Sequence, residues 1–160
     1  MPVLPSLPDA PIGRLMGLLE VMRRTPGPDK VSRLAASLHL GLDGLLPLLE
    51  AAHLLGWAAG RKGRYDLTDE GVRMADATEA ERKVLFRARA REAPLLRLIL
   101  EALEAAGDKP VPREAILAAL AGQFLEVETR RQFETAVNWG RYAELFDYDS
   151  ELACLMLPAP

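Results

Sequence analysis

Apolar residues return at intervals of three and four along most of this chain, and proline or glycine closes each run, which predicts a succession of helices. Asp9 is an N-cap candidate with Pro11 in the permissive first turn, and Leu15, Leu18, Leu19 and Met22 carry a first helix to about Arg24. Thr25-Pro26-Gly27-Pro28 breaks it. A short second helix starts at Asp29 and passes through Val31, Leu34, Ala35 and Leu38; Gly41 then turns the chain into a third helix, from about Leu42 to Leu55. Pro47 is tolerable there only because it lies near the first turn. Gly56 fits the position just past that helix, and Trp57 to Gly60 with Arg64 to Leu67 flank Arg61-Lys62-Gly63 as a small hairpin. Thr68 caps a fourth helix, whose Asp69 and Glu70 suit its dipole.

Thr78-Glu79-Ala80-Glu81 is a capping box, so a further helix runs from Glu79 to about Ala93. Its Glu79, Lys83, Arg87 and Arg91 form one charged stripe, and Val84, Leu85, Phe86 and Ala88 offer apolar surface. Pro94 opens a helix in which only Arg97, Glu101 and Glu104 interrupt Leu95, Leu96, Leu98, Ile99, Leu100 and Leu103; so narrow a polar stripe marks a central, buried element. Pro112 opens another through Ile116, Leu117 and Leu120, a long helix covers about Val127 to Leu145, and a hairpin follows from Tyr148 to Leu157. This order repeats that of the first half. The predicted fold is therefore mainly α with small β-hairpins: tandem winged helix-turn-helix units joined by a helix, with a loose arm at 1–8, a first unit at 9–77, the joining helix at 78–93 and a second unit at 94–157. One winged helix followed by an unrelated helical extension is the alternative.

Composition narrows the class. With 160 residues the chain is long enough to bury a core, and a net charge of −3 supplies no global attraction to nucleic acid or anionic lipid. The single cysteine, Cys154, excludes an internal disulfide, and its apolar surroundings predict a small buried hydrophobe. There is no basic stretch followed by an apolar core at the N-terminus, and no apolar run approaches the roughly 20 residues that cross a bilayer. A cytoplasmic chain with no direct membrane insertion is expected.

Aromatic residues concentrate between Asn138 and Asp149, which holds one of the two tryptophans and two of the three tyrosines. On a helix, Ala136, Gly140 and Ala143 share a face beside Trp139, and Gly140 would admit a neighbouring backbone. Trp139 to Asp149 (Trp-Gly-Arg-Tyr-Ala-Glu-Leu-Phe-Asp-Tyr-Asp), Gly44 to Trp57, Leu67-Thr68-Asp69-Glu70-Gly71 and Glu81 to Phe86 occur in an order that resembles the AAA-associated C-terminal domain, over about Pro8 to Leu157. That domain follows the ATPase module in some ATP-binding subunits of nitrate/sulfonate/bicarbonate-type ABC importers. Here the chain starts at Met1 with no such module, so a free-standing accessory or regulatory module is expected. The resemblance implies an ABC transporter ATP-binding subunit as partner; a second copy of the chain is the other candidate.

Catalytic motifs are missing from the sequence. The nearest approach to a phosphate-binding loop, Gly60-Arg61-Lys62-Gly63-Arg64, lacks the required spacing and reads as a turn. His39 and His53 are the only histidines, fourteen apart; Glu50 with His53 is the sole local pair that a metal could use, and a hydrogen-bonded histidine is the simpler role. Asp147 and Asp149 read as solvated turn residues. No catalytic residue, cofactor or metal is expected, and a protein-interaction module is the predicted class. Its candidate contacts are Trp139, Arg141, Tyr142, Phe146, Asp147, Tyr148 and Asp149, with Leu45 and Leu49 of the third helix. Core packing is the competing role for the aromatic ones.

The rival reading is a winged-helix DNA-binding regulator, in which the third helix of a unit enters the major groove. Between Leu42 and Leu55 that helix has no Arg or Lys and carries Asp43 and Glu50, which disfavours nucleic acid. The long helix of the second half offers Arg130, Arg131, Gln132, Thr135, Asn138 and Arg141, yet its first turn holds Glu126 and Glu128. Phosphate contacts, were DNA bound, would fall to Arg61, Lys62, Arg64, Arg130 and Arg131. Charge is also unevenly placed: from Thr78 to Arg97 six cations face three acids, and from Trp139 to Glu151 one cation faces four. These stretches are either two solvated faces or a basic helix that meets the acidic aromatic region in the same chain or in a second copy.

Overall fold

The computed structural model describes residues 4–25 and 27–159; the first three residues of the expected arm, and Pro26 of the expected break, lie outside them. Among these residues the chain is mainly helical, with two small antiparallel sheets. It divides into two compact units, one of residues 8–85 and the other of residues 86–159 together with 4–7.

In the first unit, α1 (Ile12–Arg24), β1 (Asp29–Lys30), α2 (Val31–Ser37), α3 (Leu42–Leu54), β2 (Ala58–Arg61), β3 (Arg64–Leu67) and α4 (Asp69–Asp76) follow one another, and α5 (Glu79–Ala90) begins. The helices fall close to where the apolar spacing puts them, but Pro11 and not Asp9 precedes α1, and Asp29, expected to start α2, lies in a strand ahead of it. What periodicity did not foresee is β1, a two-residue strand that pairs antiparallel with β3 at Asp29↔Tyr65 and Lys30↔Arg64. The sheet order is β1-β3-β2. Leu15, Leu18 and Leu19 of α1, Leu34 of α2, and Leu45, Leu48 and Leu49 of α3 form the core with Trp57 and Met74. Thr68 fixes the junction after the hairpin. Its hydroxyl donates to Gly56 O at 2.6 Å and accepts from Gly71 N at 3.1 Å, which caps α4. Gly71 has no Cβ because one would collide with the Trp57 carbonyl, so the Leu-Thr-x-x-Gly motif is a packing device.

The second unit repeats the order. α6 (Pro94–Ala106), β4 (Val111–Pro112), α7 (Arg113–Ala121), α8 (Glu126–Tyr142), β5 (Asp147–Asp149) and β6 (Cys154–Met156) follow the end of α5, and its sheet is ordered β4-β6-β5. β4 was also unforeseen, for the same reason. The helix expected to stand between the units divides between them, with the boundary after Leu85. α6 is buried along Leu95, Leu96, Ile99, Leu100 and Leu103, as its narrow polar stripe requires. Cys154, expected inside, is half-buried: in β6 the neighbouring Leu155 takes the inward position, and alternation turns Cys154 away from it.

Residues 4–7 are not a loose arm. Leu7 is buried, its N–H donates to Gln132 Oε1 at 2.7 Å, and Gln132 Nε2 donates back to the Leu7 carbonyl at 3.0 Å. The Leu4 N–H donates to Gln123 Oε1 at 2.9 Å. Buried backbone groups outside regular structure need partners, and two glutamines of the α7–α8 region provide them. Among the described residues no single helix is long and apolar enough to cross a membrane.

Helix α2 ends on His39 in the left-handed region, φ 56°, with Leu40 N–H donating to Ala35 O at 2.9 Å. A side chain there costs about 1–2 kcal/mol. Because His39 is exposed, His39→Gly should raise stability by about 0.5–1 kcal/mol in denaturant titration, the remainder lost to glycine's unfolded-state entropy. Gln132→Ala should do the reverse. It strands the Leu7 N–H and carbonyl, each worth about 1–3 kcal/mol when buried, and a fall of about 2 kcal/mol is expected because residues 4–7 can peel into water, a release that limited proteolysis would detect.

Candidate functional site

Leucine lies on every side of α3, so packing decides which of them face out. Leu45, Leu48, Leu49 and Ala52, spaced three and four apart, turn into the first unit, and Leu45 and Leu49 are 0% and 1% exposed. The expectation that these two leucines offer contacts is corrected: they are core. The outward face carries Leu42, Leu46 and Leu54, exposed to 53%, 44% and 48%, interleaved with Asp43 and Glu50. A helical wheel centred on Leu48 would have found them. His53 points Nδ1 at the Ala58 carbonyl, 3.2 Å away, as a hydrogen-bond donor. The hairpin cations Arg61, Lys62 and Arg64 are exposed in the same unit, with Lys62 at φ 52° in the turn.

The aromatic stretch of the second unit is mostly interior. Trp139 and Phe146 are both fully buried, which removes them from any exposed surface and corrects their expected role as contacts. Phe86 stands edge-on to Trp139 at 5.6 Å and to the half-buried Tyr142 at 5.2 Å, the geometry that ring quadrupoles favour. Gly140 admits the Phe146 ring, not the backbone expected from the sequence. The expected meeting of the basic helix with this acidic region occurs within the chain at Arg87, whose Nε donates to the Ala143 carbonyl at 2.6 Å and whose Nη2 lies 3.1 Å from Glu144 Oε2. Asp147 is exposed, and Asp149 Oδ1 accepts from the N–H groups of Glu151 and Leu152, so Asp149 shapes the β5–β6 turn.

On the outer side of α8 lies a groove of about 380 Å³. Arg130, Glu134, Val137 and Arg141 recur along the helix at three and four, so one face of α8 forms its length. Phe133 forms part of its wall, Tyr148 and Ser150 enter from the hairpin, and Arg113 from the start of α7. Arg113 Cζ sits 5.6 Å from the centre of the Phe133 ring, which itself stands edge-on to Tyr148 at 5.8 Å. Of the residues expected from the sequence, the fold brings together Arg130, Arg141 and Tyr148; Arg131 is exposed but does not line the groove. Arg113, Phe133 and Ser150 were missed, since no local motif ties them to α8. Three guanidiniums against one carboxylate, beside aromatic walls, make a place for an anion. Among the described residues no group of three or more His, Cys, Asp or Glu is placed to hold a metal.

A family model described as the C-terminal AAA-associated domain matches residues 32–149, and the chain belongs to that family. The match includes α3, the hairpin that follows it, both capping motifs around α4 and α5, and all of α8. Among solved structures, the chain is similar to the SAH-bound methyltransferase CalO1 of calicheamicin biosynthesis at 16% identity and a TM-score of 0.40, over 86% of this chain and 41% of that one. This chain thus spans less than half of that protein's length, and a likeness so distant says nothing about activity. No curated protein matches the chain.

Gly140 is the tightest point of the aromatic cluster. A Cβ there would overlap the Phe146 ring, which is enclosed on all sides and has no room to swing away. Gly140→Ala should therefore lower stability by about 1–3 kcal/mol despite alanine's better helix propensity, read as a shifted urea midpoint with unchanged slope.

Proposed function

We propose that this chain is a non-enzymatic accessory module that docks onto the ATP-binding subunit of an ABC-type importer of the nitrate/sulfonate/bicarbonate class, through the outward face of α3. Membership of the C-terminal AAA-associated family supports the partner class. The observation that carries the surface is the exposed row Leu42, Leu46 and Leu54, an apolar strip bordered by Asp43 and Glu50 and carrying no cation. Apolar anchors rimmed by charge suit protein contact, whereas acids in place of Arg and Lys oppose phosphate.

Each unit is read as a winged helix-turn-helix. In both, the order is helix, strand, helix, helix, strand, strand, and the last strand of the sheet's three lies between the other two. In this frame α3 and α8 hold equivalent positions. The second reading, a DNA-binding regulator, draws on Arg130 and Arg131 of α8 and on Arg61, Lys62 and Arg64 of the first hairpin. Against it, α8 carries as many glutamates as arginines, two of them in its first turn, so a polyanion laid along the helix gains little.

The test is association of the purified chain with a purified importer ATP-binding subunit, followed by light scattering and sedimentation. Leu46→Asp combined with Leu54→Asp should weaken it about 30-fold or more, given about 1.5–3 kcal/mol for fully burying one leucine and roughly half of each side chain still available. Unchanged melting would show that the fold is intact. No association, association indifferent to these substitutions, or tight binding to mixed duplex DNA at low salt would overturn the reading.

A further inference from the structure

The groove along α8 is not used by docking through α3, and one of its cations, Arg113, is partly buried. Several arginines elsewhere are engaged, Arg23 with Asp76, Arg82 with Glu20, Arg87 with Glu144 and Arg97 with Glu92, while others, Arg61, Arg64 and Arg131 among them, stand exposed to solvent. Among the described residues, Arg113, Arg130 and Arg141 have neither an ion pair nor a side-chain hydrogen bond, although Glu134 lies in the same groove. Arg113 is held only by the face of Phe133, and its Nε is closed off from solvent with no acceptor. Buried donors left in that condition are uncommon. Swinging this guanidinium toward a ligand breaks no bond to the protein.

We infer that the groove binds a small organic anion: a phosphate or carboxylate carried on a flat, apolar body. The anionic group meets Arg113 with Arg130 or Arg141, because planar guanidiniums grip such oxygens in pairs. The body lies against Phe133, Val137 and Tyr148, the apolar wall between them. Ser150, from the hairpin, adds a hydroxyl able to donate to an anionic oxygen. A volume of about 380 Å³ falls at the small end of the range for ligand sites, which suits a single ring with its charged substituent. That size suits a small ligand better than a longer polyanion. The groove itself has three arginines to one glutamate, but Glu126 and Glu128 lie at the start of α8 and Asp147 and Glu151 are exposed on the hairpin, so the attraction is local.

The experiment titrates the full chain with phenyl phosphate, observed by calorimetry and by tyrosine and arginine side-chain NMR signals. Inorganic phosphate, phenol and a mixed-sequence duplex serve as comparison probes. Phenyl phosphate should bind saturably and perturb Tyr148, inorganic phosphate should bind several-fold more weakly, and phenol should not bind measurably. Arg130→Gln with Arg141→Gln, both on exposed positions, should weaken phenyl phosphate about tenfold or more with unchanged melting. Arg61→Gln with Lys62→Gln, in the other unit, should leave it unaltered. The inference is overturned by absence of saturable binding, by equal affinity for phenol, by indifference to the α8 substitutions, or by a duplex that displaces phenyl phosphate at equal phosphate concentration. Because no ATPase is present, failure here leaves docking through α3 standing, and loss of docking leaves this site standing.

Discussion

The last carbonyls of a helix have no partner inside it, and every buried helix end in this chain depends on finding one. α5 answers the need twice. Arg82 donates from Nε to Met74 O at 3.2 Å and from Nη2 to Ala75 O at 2.8 Å, closing the end of α4 within the first unit. Arg87 does the same for the end of α8 within the second, through its 2.6 Å bond to Ala143 O. A guanidinium in that position also meets the negative end of the helix dipole, and hydrogen bonds from a charged donor are worth about 1.5–3 kcal/mol, more than the half-exposed ion pairs that accompany them. The excess of cations on α5 is thus in part a capping device, and its sequence meaning is structural before it is functional.

Three helices end in the same way, and the residue at the turn shows what each site needed. The chain passes through the left-handed region at His39 after α2, at Gly56 after α3 and at Glu144 after α8, with a backbone bond closing each turn from Leu40, Trp57 and Leu145. Only the end of α3 uses glycine, where the buried Trp57 follows at once. Glu144 takes the turn at φ 56°, and its carboxylate meets Arg87. The capping bond and the ion pair therefore form one unit with the aromatic cluster of Phe86, Trp139 and Phe146, whose rings fix how α8 lies against the rest of its unit.

Most helices were legible in the sequence because apolar spacing, capping residues and prolines agreed at their boundaries, as at Thr68, Thr78, Pro94 and Pro112; Asp9 and Asp29, read as helix starts, are not. The strands β1 and β4 were not. Each is two residues long and exists only because β3 or β6 offers a backbone edge, and a two-residue segment has no period to read. Leu45 and Leu49 were misplaced for another reason: α3 is so rich in leucine that composition marks it as apolar without saying which side is covered. Trp139 and Phe146 stood out as aromatic, but aromatic density is equally the mark of a core. The groove was half legible. Arg130 and Arg141 share a face that the helical repeat predicts, while Arg113 lies on another helix and reaches them only through the α7–α8 packing that the fold supplies.

The two units share one order of helices and strands and present different chemistry at the third helix of each. α3 shows leucines with Asp43 and Glu50; α8 shows Arg130, Arg131 and Arg141 beside Glu126, Glu128 and Glu134, with a leucine-free groove along one face. Had both helices served one extended polyanion, both would need cations along the outward face, and α3 has none. Had both served only to bury apolar surface against a partner, the unpaired arginines of the groove would carry a desolvation cost with nothing to offset it. On the two proposals made above both difficulties fall away: the apolar, acid-rimmed face of α3 would contact protein, and the aromatic-walled groove of α8 would take a small charged ligand. Two units with the same order of elements thus present different chemistry at their third helices, since element order does not dictate which side chains face out.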